Sequence, residues 1–178
     1  MDHLRGVDMD DRNVSLRRLQ DDEADYRLLD KWCGEEEVYR YFEQRILSPG
    51  EIRRKYRPRT REDAAVPVYM IECGGQPVGI VQYQKADEDG AYEIDLFIGE
   101  AEARNRGIGR QSILLISRFL FCVKRARRLV MCPMKDNLPA VRCYLGCGFS
   151  EAGRFTAPDT VGVVQEYVRM VMMNPDRM

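Results

Sequence analysis

Hydrophobic and polar residues alternate most regularly in the segment Ala91–Gly99, near the middle of the chain. In an extended strand its apolar residues would share one face, and they are Tyr92, Ile94, Leu96 and Ile98. The opposite face would carry two carboxylates, Glu93 and Asp95, followed by Phe97. Because a strand rises about 3.3 Å per residue, these carboxylates would lie roughly 6.6 Å apart along the chain. The pattern predicts either a central strand that presents two acids to a site or an edge strand whose polar face meets solvent.

The rest of the pattern predicts an alternation of strands and helices joined by short turns. Strands are expected at Val14–Leu19, Val66–Cys73, Pro77–Gln84, Leu129–Cys132, Phe149–Phe155 and Val163–Met173. Helices are expected at Glu23–Cys33, Val38–Glu43, Pro49–Tyr56, Gly109–Lys124 and Asn137–Cys147, with a charged loop at Arg57–Val66. This order indicates an α/β fold with a mixed sheet, in one domain at residues 13–178. The polar residues 1–12 are expected to form a disordered N-terminal tail.

A turn with two glycines follows the alternating strand and opens a long apolar helix. Its sequence is Arg104-Asn105-Arg106-Gly107-Ile108-Gly109. Glycines let the backbone approach a ligand closely, and the first N–H groups of a helix have no partner within the helix. Such a turn can bind an anion, which predicts a phosphate-bearing cofactor. It is equally compatible with a turn that serves the fold alone, because many strand–turn–helix connections carry two glycines without a ligand.

Composition excludes several classes of function. The net charge of the 178 residues is −1, which does not indicate a nucleic-acid-binding protein. The single histidine, His3, lies in the polar N-terminal segment, so no histidine is placed for a zinc site or for a catalytic triad. None of the six cysteines forms a C-x-x-C pair, as is typical of reduced thiols in a cytoplasmic protein. No apolar segment is long enough to span a membrane, and no signal peptide is evident.

A second motif, Asn137 to Phe149, makes the function more specific. It resembles the N-x-x-A-x-x-x-Y-x-x-x-G-F signature of the GNAT acetyltransferases at every fixed position, and the glycine turn resembles their Q/R-x-x-G-x-G/A cofactor motif. The order of elements is similar over residues 13–173. The resemblance implies the GNAT fold, with a mixed central sheet of about six or seven strands flanked by about four or five helices. It also implies acetyl-CoA as the cofactor, with no metal.

Within that family the chain resembles the aminoglycoside 6′-N-acetyltransferases, which are antibiotic-resistance enzymes. The similar segments are Trp32–Glu36, Ile94–Gly99 and Ala140–Tyr144. One position departs from the pattern, because those enzymes usually carry Asp-Pro before the last helix, where this chain has Cys132-Pro133. The missing carboxylate is one that would face a polycationic substrate, so the departure concerns the acceptor rather than acetyl transfer.

The turn and the resemblance together assign roles to individual residues. Acetyl-CoA is expected to contact backbone or side chains of Leu96, Phe97, Ile98, Arg104, Asn105, Arg106, Gly107, Ile108, Gly109, Arg110, Asn137, Ala140 and Tyr144. Asp95 is expected to hold the acceptor ammonium and take its proton, with Glu93 as the alternative. The family gives Tyr144 the role of protonating the departing thiolate, although a tyrosine beside Val141 and Leu145 could simply be packed. Acceptor contacts are expected from Trp32, Glu35, Glu36, Glu93 and Asp95.

The expected partner is a small cationic amine, with no nucleic acid or membrane, and the protein is expected to be a monomer or a homodimer. Two alternatives remain open. One is a GNAT enzyme that acetylates a protein N-terminus or another small amine. The other is a non-catalytic GNAT-like module that binds CoA. An enclosed acidic pocket would favour an aminoglycoside acceptor, and a flat, open groove would favour a protein N-terminus.

Overall fold

In the computed structural model, which describes residues 3–5 and 13–177, eight strands form one sheet in the order β1-β2-β3-β4-β5-β6-β8-β7. The strands are β1 His3–Arg5, β2 Val14–Arg18, β3 Val68–Cys73, β4 Gln76–Lys85, β5 Ala91–Ile98, β6 Arg128–Met131, β7 Ser150–Pro158 and β8 Val164–Met173. The helices are α1 Glu23–Cys33, α2 Glu36–Phe42, α3 Pro49–Tyr56, α4 Ile108–Cys122 and α5 Leu138–Gly146. Short 3-10 turns lie at Arg57–Thr60, Ala101–Ala103 and Pro175–Arg177.

This architecture confirms the predicted α/β fold with a mixed sheet. Two details differ from the expectation. Residues 3–5, predicted to belong to a disordered tail, form β1 and pair antiparallel with β2, which covers a sheet edge that would otherwise be open. The other residues of that segment, 1–2 and 6–12, lie outside the described residues. The charged loop after α3 begins with the 3-10 turn Arg57–Thr60.

Helices cover both faces of the sheet, so β5 is buried on each side. Its Ile94 belongs to a core formed with α4, where Ile113, Ile116 and Leu120 are fully buried. Its Phe97 points to the other face, into a core with α1 to α3, and meets the ring of Phe42 edge-on at 4.9 Å. The edge-strand interpretation of Ala91–Gly99 is therefore wrong, since β5 is a central strand with β4 and β6 as neighbours.

Strands β5 and β6 pair for only part of their length. Their parallel ladder contains Ala91↔Arg128, Tyr92↔Leu129 and Glu93↔Val130, and ends there. The chain after β6 instead follows β8, where the carbonyl of Pro133 accepts from the N–H of Val168 at 2.9 Å. The sheet consequently splits from Ile94 onward, and the edge of β5 that faces away from β4 has no strand beside it in the described structure.

The other edge of β5 is held against β4 to its end. The antiparallel register runs from Lys85↔Tyr92 to Gly79↔Ile98. Gly79 is required for this contact, because a Cβ there would lie 2.2 Å from the carbonyl oxygen of Phe97. The end of β5 is therefore held rigidly by β4 along one edge and has no strand along its other edge, so it can form one wall of a cavity.

Among the described residues, no helix has the length and apolar content needed to cross a membrane.

Candidate active site

The split between β5 and β6 opens into a cleft of about 980 Å³. One wall is β5 from Ile94 to Ile98 together with residues of α2, and the opposite wall is the segment Met131–Met134 together with α5. The glycine turn and the start of α4 close one end. Elements that are far apart in sequence thus meet around one cavity, and both sequence motifs contribute to it.

Two residues of the glycine turn adopt left-handed backbone conformations. Asn105 has φ 58° and Gly107 has φ 78°. Gly107 is the N-cap of the 15-residue helix α4, and because glycine has no side chain it cannot cap the first N–H groups of the helix. The side chain of Ile108 is buried in the core, and the residue can reach a ligand only through its backbone. This geometry suits an anion bound by N–H groups and by the positive end of the helix dipole.

The side chain of Arg104 fixes the position of this turn. Its Nε donates to the carbonyl of Ile98 at 3.0 Å, and its Nη2 donates to the carbonyl of Gly99 at 2.7 Å. The same guanidinium forms ion pairs with Glu37 and, at 3.3 Å, with Glu35. Arg104 therefore ties the end of β5, the turn and the start of α2 together, and its contribution to cofactor binding would come chiefly from its backbone.

Asp95 lies on β5 in the wall of the cleft, opposite Gln82 of β4. Burial, and then the charge of Glu93, raise its pKa to about 6, against the bond from Gln82 and the charges of Lys55 and Arg59. A carboxyl with this pKa is ionised at neutral pH and still accepts a proton readily, as general-base catalysis requires. Asp95 thus has the position and the basicity to take a proton from an amine in the cleft.

Tyr144 lies across the cleft on α5, where its ring packs 6.3 Å from that of Phe149. Burial, and then the charge of Asp95, raise its pKa above the usual value, so the phenol keeps its proton at neutral pH. Asn137 also lines the cleft and caps α5, because its side-chain oxygen accepts from the N–H of Ala140 at 3.3 Å. The helix that carries the second motif is therefore positioned by a residue of that motif.

Three residues predicted to bind the acceptor, Trp32, Glu35 and Glu93, lie outside the lining of the cleft. Trp32 lies near the end of α1, and its side chain is fully buried in the core. Its Nε1 donates to Glu100 at 2.8 Å. The prediction that Trp32 contacts the acceptor is therefore wrong. Its apolar ring is used for packing, and its single polar atom is already satisfied. Glu35 does not line the cleft and pairs with Arg104 instead, which corrects its predicted role as well.

Glu93 lies deeper on β5 than Asp95 and outside the lining of the cleft. Its carboxylate accepts from Gln84 Nε2 at 3.0 Å and lies close to the thiol of Cys132. Burial, and then the charge of Glu93, raise the pKa of that thiol to about 12, so Cys132 is a neutral thiol in the cleft wall. The structure places Glu93 beside the position where the resemblance leads one to expect a second carboxylate.

The remaining predicted residues fall into two groups. The cleft lining includes Glu36, Leu96, Phe97, Ile98, Arg104, Asn105, Gly107, Gly109, Arg110, Ala140 and Tyr144. Arg106 and Ile108 are part of the turn but lie outside that lining.

Sequence inspection missed the apolar wall formed by Val38, Tyr41 and Phe42 of α2. It also missed Gln82, although two glutamines spaced two residues apart in β4 were a usable signal for partners of Asp95 and Glu93 across the ladder.

Comparison with known proteins identifies the family. Residues 21–157 match the family model of the acetyltransferase (GNAT) domain. The chain belongs to the GNAT family. Aminoglycoside N(6′)-acetyltransferase type 1 of Klebsiella pneumoniae is 23% identical over 170 residues, which cover 88% of this chain and 84% of that protein. The protein of the same name from Serratia marcescens matches equally well.

Solved GNAT structures share the fold. The crystal structure of the aminoglycoside acetyltransferase AAC(6′)-Ib in complex with coenzyme A superposes with a TM-score of 0.76 at 23% identity, over 90% of this chain and 95% of that one. Spermidine N-acetyltransferase from Vibrio cholerae, in complex with CoA and spermine, superposes with a TM-score of 0.78 at 21% identity and the same coverage. At this identity the superpositions show a common fold.

As a GNAT acetyltransferase, the protein is an acetyl-CoA-dependent N-acetyltransferase. The cleft fits that cofactor in two respects: the α4 N-terminus offers N–H groups to a pyrophosphate, and the open edge of β5 offers backbone groups to an amide-bearing arm. Within the described part of the chain, no group of three or more histidine, cysteine, aspartate or glutamate side chains is arranged to bind a metal ion.

Replacing Gly107 tests the cofactor turn. We expect Gly107→Val to weaken acetyl-CoA binding roughly fivefold to thirtyfold, because a lost helix N-terminal anion site corresponds to about 1–2 kcal/mol. Gly75→Val is the matched control, since Gly75 also has φ 78° and has open space around its Cβ position, far from the cleft. Calorimetric titration with acetyl-CoA would measure both, and equal affinities in the two folded variants would refute the assignment.

Proposed function

We propose that this enzyme transfers acetyl to a primary amine of a small molecule that carries several cationic groups, with the 6′-amine of an aminoglycoside as the first candidate. The position of Asp95 carries this proposal. An ionised carboxylate stands in the wall of the cleft on the strand whose open edge would receive the acetyl donor. A protonated amine entering the cleft would be attracted to that carboxylate and could lose its proton there.

The shape of the acceptor end supports a small molecule over a protein chain. The wall formed by α2 is joined at two places to segments that follow β6 in the sequence. Arg40 of α2 pairs with Asp136, which precedes α5, at 3.5 Å. Thr160, in the turn between β7 and β8, donates its hydroxyl to the carbonyl of Glu43, just after α2. These contacts tie α2 to segments beyond β6 and so favour an enclosed acceptor end over a flat groove for a protein N-terminus.

The proposed reaction forms an amide N–C bond and breaks the C–S bond of a thioester, and acetyl-CoA supplies the acetyl group when bound. Asp95 takes one proton from the ammonium, which leaves a neutral amine with a free lone pair. A backbone N–H of the open β5 edge near Leu96–Ile98 stabilises the oxyanion, an interaction worth roughly 3–4 kcal/mol in comparable sites. The wall formed by α2 limits the orientations of the amine.

The protons balance around Tyr144. Its phenol gives a proton to the departing thiolate, for which its raised pKa keeps it protonated. The nitrogen loses a second proton as the amide forms, and that proton restores the phenol. One proton is released overall, the one first taken by Asp95.

A linear polyamine is the second candidate acceptor. The observation that favours it is Cys132, which removes a carboxylate from the acceptor end relative to the aminoglycoside enzymes that the chain resembles. The acetyltransferase from Vibrio cholerae that shares the fold is named for spermidine. The carboxylates of the cleft lining are Glu36, Glu37 and Asp95, and Glu37 is already paired with Arg104. A linear chain presents fewer cations at one end of the cleft than a polycyclic aminoglycoside does, so fewer free acids suit it.

An acceptor panel distinguishes these proposals. Acetyl-CoA-dependent mass gain would be measured over kanamycin-type aminoglycosides, the same compounds lacking the 6′-amine, spermidine, spermine and short peptides. Acetylation of aminoglycosides that disappears without the 6′-amine supports the first candidate. Preferred acetylation of the polyamines replaces it with the second. Selective acetylation of peptide N-termini, or no product with any amine, overturns the proposal of a small cationic acceptor.

The pH dependence tests Asp95 as the base. Because its pKa is raised to about 6, we expect kcat/KM to fall as the pH decreases through about 6, where the carboxylate becomes protonated. Asp95→Asn should lower kcat/KM by roughly 10²- to 10⁴-fold and remove this limb. Asp89→Asn is the control, since its carboxylate is 90% exposed and pairs with Arg127 away from the cleft. A limb near pH 6 that persists in Asp95→Asn would assign the base elsewhere.

A further inference from the structure

Behind the proposed base lies a pair of polar side chains that the reaction itself does not use. Gln82 of β4 donates from Nε2 to Oδ2 of Asp95 at 3.3 Å, and Arg59 donates from Nη1 to Oε1 of Gln82 at 2.5 Å. We propose that Arg59 and Gln82 are positioning residues that hold the carboxylate of Asp95 toward the cleft in its ionised form. This inference rests on the proposed role of Asp95 as the base.

Arg59 determines which way the amide of Gln82 points. A guanidinium has donors only, so the glutamine must turn its oxygen toward Arg59. Its NH₂ group is then directed at Asp95, and this bond is stronger when the carboxylate is ionised than when it is protonated. Without Arg59 the amide could rotate and present its oxygen to the carboxylate, an arrangement that favours a protonated acid. The arginine thus acts on Asp95 through the orientation of one amide.

The pair is held in place from both ends. Gln82 is 7% exposed and lies directly opposite Asp95 in the β4–β5 ladder, so its side chain has little freedom. Arg59 belongs to the turn Arg57–Thr60 after α3, and its guanidinium lies 5.4 Å from the ring centre of the fully buried Tyr56. A buried amide needs partners for both its oxygen and its nitrogen, and these two residues provide one each.

Charged and titratable groups from several elements face Asp95. They are Glu93 on β5, Lys55 and Tyr56 on α3, Arg59 in the following turn, Tyr144 on α5 and Cys132 after β6. Burial and Glu93 favour the protonated acid, whereas Gln82, Lys55 and Arg59 favour the carboxylate. Lys55 is also paired with Glu43. Loss of Arg59 removes a positive charge and leaves the amide of Gln82 free to rotate. Both changes raise the pKa of Asp95.

The direct test is an NMR titration of the Asp95 side-chain carboxyl carbon in the protein without ligand. Its resonance is assigned by its absence in Asp95→Asn. We expect Arg59→Met and Gln82→Leu each to raise the pKa of Asp95 by about one unit from the wild-type value. Arg59→Lys, which keeps the charge and a donor, should restore most of the wild-type value. An Arg59→Met protein that titrates like the wild type would overturn the proposal.

Arg57→Met is the matched control. It removes a guanidinium from the same turn, but Arg57 is 74% exposed and pairs with Asp21 at 3.1 Å rather than with Gln82. The Asp95 titration should be unchanged in this variant. An equal shift in Arg57→Met and Arg59→Met would indicate a general loss of positive charge and would overturn the specific role of Arg59.

The pH profile of acetyl transfer separates this inference from the proposed function. In Arg59→Met the acidic limb should move to higher pH by the same amount as the titration, with activity recovered on the alkaline side. A purely structural defect would lower activity equally at every pH. If the titration shifts but the profile does not, Asp95 is not the base and its positioning by Arg59 stands. If Asp95→Asn removes the limb but Arg59→Met leaves the titration unchanged, the base stands and the positioning fails.

Discussion

The pairing of β5 with one neighbour but not the other is the constraint on which the site depends. Strand β4 holds β5 to its last residue, helped by the absence of a side chain at Gly79. Strand β6 leaves β5 after Glu93↔Val130, because its continuation follows β8 instead. Buried backbone groups normally find partners, so an open strand edge inside a fold is an incomplete structure that a ligand can complete. The departure of β6 from β5 thus creates both the cleft and the unpaired backbone groups in its wall.

The same strand carries the proposed chemistry. Alternation along β5 sends Ile94 into the core with α4 and sends Asp95 to the face with Gln82. Because the backbone that would bind the cofactor and the carboxylate that would take the proton belong to one strand, their spacing is fixed by the pleat. Arg104 extends this rigidity to the glycine turn by bonding the carbonyls of Ile98 and Gly99. The distance between the proposed phosphate end and the proposed acceptor end is therefore fixed by the backbone of β5 and by the bonds of Arg104.

Sequence patterns predicted the parts of this site that depend on local geometry. Period-two alternation placed Asp95 on β5, and residues of the glycine turn and of the Asn137–Phe149 motif both line the cleft. They failed where the outcome depends on distant partners: Trp32 is buried against Glu100, and Glu35 is bound by Arg104, 69 residues away. The local periodicity of the sequence gives no indication of either pairing. The link from Arg59 through Gln82 to Asp95 likewise joins three separate segments and becomes visible only when β4 and β5 are paired.

Backbone hydrogen exchange on β5, with and without acetyl-CoA, tests the central claim most directly. The account predicts that those amides between Ile94 and Ile98 that are not bonded to β4 exchange quickly in the free protein and become protected when acetyl-CoA is added. Amides of β5 that bond to β4 should be protected in both states. Acetyl-CoA binding that leaves exchange along this open edge unchanged would contradict the assignment of the split between β5 and β6 as the cofactor site.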